Sequence, residues 1–462
     1  MTPKSMRPML FGPTYEEMLN PQRIEPDVRE RALQIQPVNE LDPLNLFNIT
    51  WKDRQNRVRR LVLPPELTGV QANIIVMLGR YFPSGSHKVG PAYATLMEGV
   101  LDGEIVPGVH NILGPSTGNF GIGVAYICKL MGLHAVIIMP DNMSRERYER
   151  ITGYGAELDL TPGSESDVIL TLQRTHLLMK DPKNRALAQF ELFPNYRFHR
   201  FVTGNSAIEA AADVGNGKIA CFVSAPGSAG TLAAGDQIKV AFPEAAVVAV
   251  EPSECATLST GGRGQHRIEG IGDKMCTLIH NVRNTDFVAV VHDEACVKGL
   301  KVLQDGTDAL VRMGVPRASA VGLRGMFGVS GVANILASIK MAKFLGLGPA
   351  DNVVTVATDG FDRYPSVLSK LEASDLGAEQ NALDRWFTEV FAGMNDEGVF
   401  DFRGQPAKER LYRQKENDWV PFGYSREYLD AMRAPEFWEN EFDKIATYDQ
   451  KVRSSRLRAS AS

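Results

Sequence analysis

The chain has 462 residues, 44% of them hydrophobic and 23% charged, which is the composition of an ordinary globular protein long enough for two or more cores. Fifty lysines and arginines against 55 aspartates and glutamates leave a formal charge of −5. With no long basic run, nucleic acid and anionic membrane are poor candidate partners.

Residues 1–50 are rich in Pro, Arg and Glu, carry no clear period and read as an N-terminal extension. From about residue 51 the chain alternates apolar β-rich runs with helical patterns. The spacing predicts strands over 73–82, 110–114, 134–139, 155–160, 218–224, 246–251, 286–291 and 352–357. Between them it predicts helices over 89–102, 119–132, 143–153, 164–180, 206–214, 229–241, 293–314 and 330–345. Near-continuous apolar strands separated by helices imply parallel sheets covered on both faces, and the strands are too many for one simple doubly wound sheet. The expected fold class is therefore α/β, with two α/β domains and a cleft between them. Residues 371–462 break the alternation and form a charged, aromatic C-terminal extension, in which Trp386 and Trp438 read as packing anchors. A lid supplying Arg410, Tyr412 or Trp419 to the cleft is the sharper alternative.

The cysteines Cys128, Cys221, Cys255, Cys276 and Cys296 form no CxxC pair; Cys128 and Cys221 lie in apolar runs and read as buried small hydrophobes. No signal-peptide h-region opens the chain and no apolar run reaches membrane-spanning length, so a cytoplasmic protein is expected. Eight histidines without an HxxxH or Cys/His cluster predict no metal.

Four polar turns follow strands. Lys88 ends Pro83-Ser84-Gly85-Ser86-His87-Lys88, after an apolar strand and before a helical pattern. Burial there would lower its pKa and suit it to a Schiff base with a carbonyl cofactor; a solvated turn lysine is the plainer reading. In Ser116-Thr117-Gly118-Asn119, small residues at a helix start can either bind a carboxylate or cap the helix. Gly227-Ser228-Ala229-Gly230-Thr231 is a phosphate cradle of backbone amides and hydroxyls, and is neither a Walker A sequence nor a dinucleotide fingerprint. Thr358-Asp359-Gly360 sits at the carboxyl end of a parallel strand, where α/β sheets bind ligands. The glycine-dense loop 261–272 could line the cleft, with His266 expected at the surface.

In this order the turns resemble those of the fold type II pyridoxal-phosphate enzymes, in particular the cysteine synthase and cystathionine β-synthase group. Met139-Pro140-Asp141-Asn142-Met143-Ser144-Arg145-Glu146-Arg147 and Glu269-Gly270-Ile271-Gly272 narrow the match, which covers about 51–370. The resemblance implies pyridoxal 5'-phosphate held by Lys88 as a Schiff base. It implies Asn119 on the ring hydroxyl and the phosphate in Gly227, Ser228, Ala229, Gly230 and Thr231. Thr358 or Asp359 would face the pyridine nitrogen, and Ser116, Thr117, Gly118 and Gly270 would bind the substrate. It further implies a homodimer, a large cofactor domain from 51–88 and 200–370, and a small mobile domain from 89–199. The implied reaction is β-elimination or β-replacement on a small amino acid with a leaving group at Cβ, through an aminoacrylate intermediate. A threonine or serine deaminase, a threonine synthase-like enzyme and a non-catalytic regulatory subunit are the alternatives. Lys88-Val89-Gly90 departs from the group's Lys-Asp-Arg, and His87 is closer to tryptophan synthase β. Asp359 departs too, because this fold normally offers the ring nitrogen a neutral hydroxyl.

Overall fold

The computed structural model describes residues 11–373 and 382–461; residues 1–10, 374–381 and 462 of the two expected extensions lie outside it. The strands are β1 (Arg60–Leu63), β2 (Asn73–Leu78), β3 (Asn111–Pro115), β4 (Ala135–Pro140), β5 (Glu157–Thr161) and β6 (Asn184–Ala186). They continue with β7 (Ile219–Ser224), β8 (Ala246–Pro252), β9 (Phe287–Val291), β10 (Asn352–Ala357) and β11 (Val399–Asp401). They build a seven-stranded sheet, β1-β2-β10-β7-β8-β9-β11, and a four-stranded sheet, β5-β4-β3-β6. The smaller sheet is parallel throughout, as are the five central strands of the larger.

The α/β class follows from the apolar runs. Along β2, Ile75 and Met77 enter one hydrophobic cluster while Ile74, Val76 and Leu78 enter another on the opposite face. A period of two with both faces covered is what a central parallel strand requires. The larger sheet is not wholly parallel, however: β1 and β11 pair antiparallel at its two edges. Both edge strands, and β6, are only three or four residues long and carry polar residues, so no apolar run announces them. The long helix expected over 293–314 is two helices, Asp293–Asp305 and Thr307–Arg312, broken at Gly306.

The described parts of both extensions are packed. Tyr15, Met18, Leu46 and Trp51 lie in the same cluster as Val89 and Phe120, so the N-terminal segment is not a loose arm. Its short helix Tyr15–Leu19 donates the Tyr15 and Glu16 amides to the Asp449 carboxylate at 2.7 and 3.1 Å, tying the chain's start to the long helix Pro435–Ala461. In helix Gln405–Trp419, Trp419 Nε1 donates to the Cys276 carbonyl at 2.8 Å and Lys415 Nζ to that of Leu278 at 2.9 Å. Arg410 reaches the Ser259 carbonyl at 2.9 Å, and Trp386 and Trp438 are buried. These side chains grip the segment 258–281 as packing.

Among the described residues, no helix is long and apolar enough to cross a membrane. All five cysteines are unpaired and buried.

Candidate active site

The turns picked out in the sequence leave the carboxyl ends of parallel strands in both sheets. In the larger sheet, β2, β10 and β7 are neighbours. Their exits carry Lys88, Asp359 and the loop 227–231 in that spatial order. In the smaller sheet, β3 leads to Ser116–Asn119, β4 to Arg147 and β5 to Glu165. Six exits thus converge where open α/β sheets bind ligands.

Two tight turns, Gly79–Tyr81 and Pro83–Gly85, carry the chain from β2 to Lys88, which caps the helix Val89–Leu101. A Cβ at Gly79 would lie 2.5 Å from the Thr358 carbonyl, so only glycine allows that approach. The His87 amide donates to the Thr358 carbonyl at 3.3 Å, and Ser86 pairs with Asp359. The lysine turn is thereby fixed to the turn after β10. Lys88 Nζ lies 3.4 Å from Ser228 Oγ and 3.5 Å from Gln189 Oε1. Burial lowers its pKa to about 8, against the opposing pull of Asp273 and Glu165. Its side chain is half-buried, with the amine set between Ser228 and Gln189.

Beyond β7, Ala229 adopts a left-handed backbone with φ 64°, and Thr231 Oγ1 contacts Ser224 Oγ at 2.6 Å. The Gly230 amide meets Ser228 Oγ at 3.4 Å. Those of Gly227, Ser228, Ala229 and Thr231 find no acceptor among the described residues, which leaves a set of donors for an anion. Asn195 and His199 back this loop: Asn195 Nδ2 donates to Ser228 Oγ at 2.9 Å, and a Cβ on Gly230 would strike both side chains. Gly270 lies against the same loop, its carbonyl 2.6 Å from where a Gly227 Cβ would be. His266 is buried, not at the surface: its Nδ1 accepts from the Ile268 amide at 3.1 Å, which leaves Nε2 to donate to the Gly272 carbonyl at 3.0 Å. It braces the glycine-dense loop.

In the Ser-Thr-Gly-Asn turn the helix-cap reading is realised by Ser116. Ser116 Oγ accepts from the Gly118 and Gly121 amides at 2.9 and 2.8 Å and so caps the helix Asn119–Met131. Thr117 instead turns its hydroxyl to Glu165 Oε1. At Gly118, φ is 156° and a Cβ would lie 2.3 Å from Arg147 Nε, so the turn admits no side chain there.

Of the two candidates after β10, Asp359 is fully buried and turned inward while Thr358 is half-buried. Asp359 Oδ2 accepts from Asn119 Nδ2 at 2.7 Å and from the Tyr364 hydroxyl at 2.9 Å. Burial raises its pKa, partly offset by the Arg363 and Arg147 guanidiniums.

Several further site residues lie outside the four turns. Arg147 is buried, contacts Glu269, and donates to Ser144 Oγ at 2.7 Å and the Tyr364 hydroxyl at 3.1 Å. Glu165 and Asp273 are buried carboxyls that interact with Lys88. Burial pushes the Glu165 pKa up to about 7 and that of Asp273 well above the usual carboxylate range. Glu165 also lines a cleft of about 280 Å³ with Asn142, Ser164, Glu269 and Lys370. For Arg147 the signal was the 139–147 segment, and for Glu165 it was position, just past the end of a parallel strand. Gln189, Asn195 and Asp273 offered none.

These donors fit a phosphorylated pyridine aldehyde. An amine of lowered pKa stands beside an anion cradle, and at the same strand ends a buried amide is bonded to a buried carboxyl. Asn119 Oδ1, Asp359 Oδ1, Asn195 Oδ1, His199 Nε2 and both nitrogens of His87 are buried without a hydrogen-bond partner, as a site shaped around an absent polar group would leave them. Fold and site together define a two-sheet α/β enzyme built around a cofactor-binding lysine.

The comparisons agree. A family model described as pyridoxal-phosphate dependent enzyme matches residues 57–359. The cysteine synthase of Staphylococcus aureus (strain Mu50) is 33% identical over 297 residues, covering 64% of this chain and 88% of that protein. Cysteine synthase B of Campylobacter jejuni is 30% identical over 285 residues, covering 62% and 87%. The crystal structure of O-acetyl serine sulfhydrylase isoform 3 from Entamoeba histolytica superposes with a TM-score of 0.59 at 26% identity, covering 72% of this chain and 92% of that one. The chain belongs to the pyridoxal-phosphate dependent enzymes, fold type II, in the cysteine synthase and cystathionine β-synthase group, and its cofactor is pyridoxal 5'-phosphate.

Proposed function

We propose that the protein catalyses β-elimination or β-replacement on a small amino acid with a leaving group at Cβ, with Lys88 as its proton-transfer residue. The observation that carries this reading is the convergence of Lys88, Asp359 and the 227–231 loop at the ends of three adjacent strands, facing Asn119 from the other sheet. Pyridoxal phosphate, when bound, supplies an electron sink for the pair released at Cα. Lys88 Nζ binds it, then takes the substrate's Cα proton and later returns it. An amine with a pKa of about 8 can do both near neutral pH. The free amides at Gly227, Ser228, Ala229 and Thr231, with Gly230 closing the turn, hold the phosphate. Asn119 Nδ2 holds the ring hydroxyl, and Asp359, rather than Thr358, meets the ring nitrogen. The backbone amides of Thr117 and Gly270 bind the substrate carboxylate, with the Ser116 cap and Gly118 shaping the turn that presents it.

A second reading is hydrolytic elimination to keto acid and ammonia, in the manner of a threonine or serine deaminase. Asp359 supports it, because a carboxyl at the ring nitrogen can share a proton with it and strengthen the sink. Supplying serine, O-acetylserine, O-phosphoserine, threonine and cysteine, with and without a thiol, separates the two. A thioether product from O-acetylserine marks replacement, and keto acid whatever the thiol marks elimination. Loaded enzyme that acts on none of them would refute both.

The same reading makes residues 89–199 a domain that moves against 51–88 and 200–370, and the protein a cytoplasmic homodimer. Unpaired, buried cysteines suit a reducing compartment. Light scattering on the purified enzyme tests the dimer.

A further inference from the structure

Glu165 lies in the polar turn after β5. One carboxylate oxygen accepts from the Thr117 hydroxyl, while the other, Oε2, is buried and bonded to nothing. The residue lines the open cleft and belongs to a charged group containing Lys88, Arg147 and Asp273. Thr117 holds it, and the Arg147 guanidinium is itself matched by Glu269. The site thus places a second proton-carrying group on the cleft side of the Ser-Thr-Gly-Asn turn, separate from Lys88.

We propose that Glu165 is the catalytic acid for the leaving group, and that the enzyme is thereby matched to substrates whose Cβ group departs poorly without a proton, a hydroxyl or an amine. This rests on the β-chemistry proposed above and deepens it. In the forward step the Cα–H bond breaks and its proton goes to Lys88 Nζ. Its electron pair forms the Cα–Cβ double bond, and the Cβ–X bond breaks with its pair on X. Glu165 Oε2 gives X its proton and is left as carboxylate. In a replacement, the incoming nucleophile returns a proton to Glu165 as its bond to Cβ forms. An acetoxy group departs as a stable anion and needs no such help.

Asp273 Oδ2 is also buried and unpartnered, and burial together with the Glu165 charge opposes its ionisation.

The test compares wild-type holoenzyme with Glu165→Gln and Glu165→Asp. General acid catalysis contributes about 10²–10⁴-fold. Glu165→Gln should therefore lose at least about a hundredfold in kcat on L-serine or 2,3-diaminopropionate while falling far less on O-acetyl-L-serine, and Glu165→Asp should recover part of the loss. L-alanine, which has no leaving group, reads binding alone, and its Kd should move little. An infrared difference spectrum, wild type minus Glu165→Gln, should show a carboxylic-acid band that titrates near pH 7, whatever the activity. Equal losses on all substrates with weakened alanine binding would make Glu165 a structural prop and overturn the proposal. So would a wild type that uses O-acetyl-L-serine and ignores the hydroxy and amino substrates, although β-chemistry would then stand. If the wild type acts on neither class, the β-chemistry itself fails, and the infrared band still reports whether Glu165 holds a proton.

Discussion

Asn119 donates its side-chain amide to the Asp359 carboxylate at 2.7 Å, joining the first residue of the helix after β3 to the turn after β10. One bond therefore bridges the two sheets at the floor of the site. Asp359 also receives the Tyr364 hydroxyl, whose oxygen in turn accepts from Arg147, so the carboxylate sits at the centre of a buried network.

Removing that centre strands its donors. Asp359→Ala leaves Asn119 Nδ2 and the Tyr364 hydroxyl without an acceptor in a fully buried place, which costs about 1–3 kcal/mol per group. Urea unfolding of the cofactor-free protein should show a lower midpoint at an unaltered slope. A midpoint equal to wild type would mean that the network is not stabilising.

Arg147 is buried and pairs with Glu269, which is partly exposed at the cleft. Arg147→Met strands the Tyr364 and Ser144 partners, which should cost about 1–3 kcal/mol, and the double variant with Glu269→Leu should recover only part of it. Arg147→Lys should not rescue, since an ammonium cannot reproduce the guanidinium's contacts to Ser144, Tyr364 and Glu269 together. A thermal-denaturation double-mutant cycle measures the coupling.

Lys88 must be neutral to capture a carbonyl. With its pKa lowered to about 8, roughly a quarter of the amine is free at pH 7.5, against about a thousandth for an ordinary lysine. The rate of cofactor uptake by the cofactor-free protein should rise with pH and level off just above pH 8. A rate still climbing beyond pH 10 would place the amine in water.

Glu165 has the opposite consequence for stability. Its folded-state pKa, about 7, lies above its ordinary value of 4.5, so the folded protein holds the proton more tightly than the unfolded one. The stabilisation this gives is complete below pH 4.5 and disappears as the pH climbs through 7, a change of roughly 3 kcal/mol at most. The melting temperature of wild type should fall relative to Glu165→Gln between pH 5 and 8. Parallel curves would show that Glu165 does not bind a proton in that range.

The tail acts by packing. Trp419 is fully buried and donates to the Cys276 carbonyl at 2.8 Å, so Trp419→Ala should cost about 3–5 kcal/mol. Removal of 375–462 should lower melting and activity together. Lost activity with unaltered melting would favour a lid.

The central strands were legible because a strand buried on both faces is rich in apolar residues, as the run 74–78 is, whereas Glu157–Thr161, at an edge, alternates polar and apolar residues. Lys88, Asn119 and the 227–231 loop were legible because an anion cradle and a capped turn need small residues at a strand-to-helix junction. Short edge strands such as Arg60–Leu63 were not, since an edge is half solvated and tolerates polar side chains. Nor could the sequence decide between Thr358 and Asp359, because adjacent residues leave a strand on opposite faces and a shift of one reverses them. In the folded chain Asp359 is fully buried against Asn119 while Thr358 is half-buried. Gln189, Asn195 and Asp273 reach the site from chain distances that no local pattern records. Their contacts exist only after the two sheets have come together.

The central claim is that Lys88 carries the cofactor. Borohydride reduction of the loaded enzyme fixes the cofactor to whichever amine holds it, and peptide mass mapping then locates it. The account expects the added mass on the peptide containing Lys88, and a Lys88→Ala protein without either the label or the visible absorbance of the loaded wild type. Label on another lysine, or an unchanged visible band in Lys88→Ala, would contradict it.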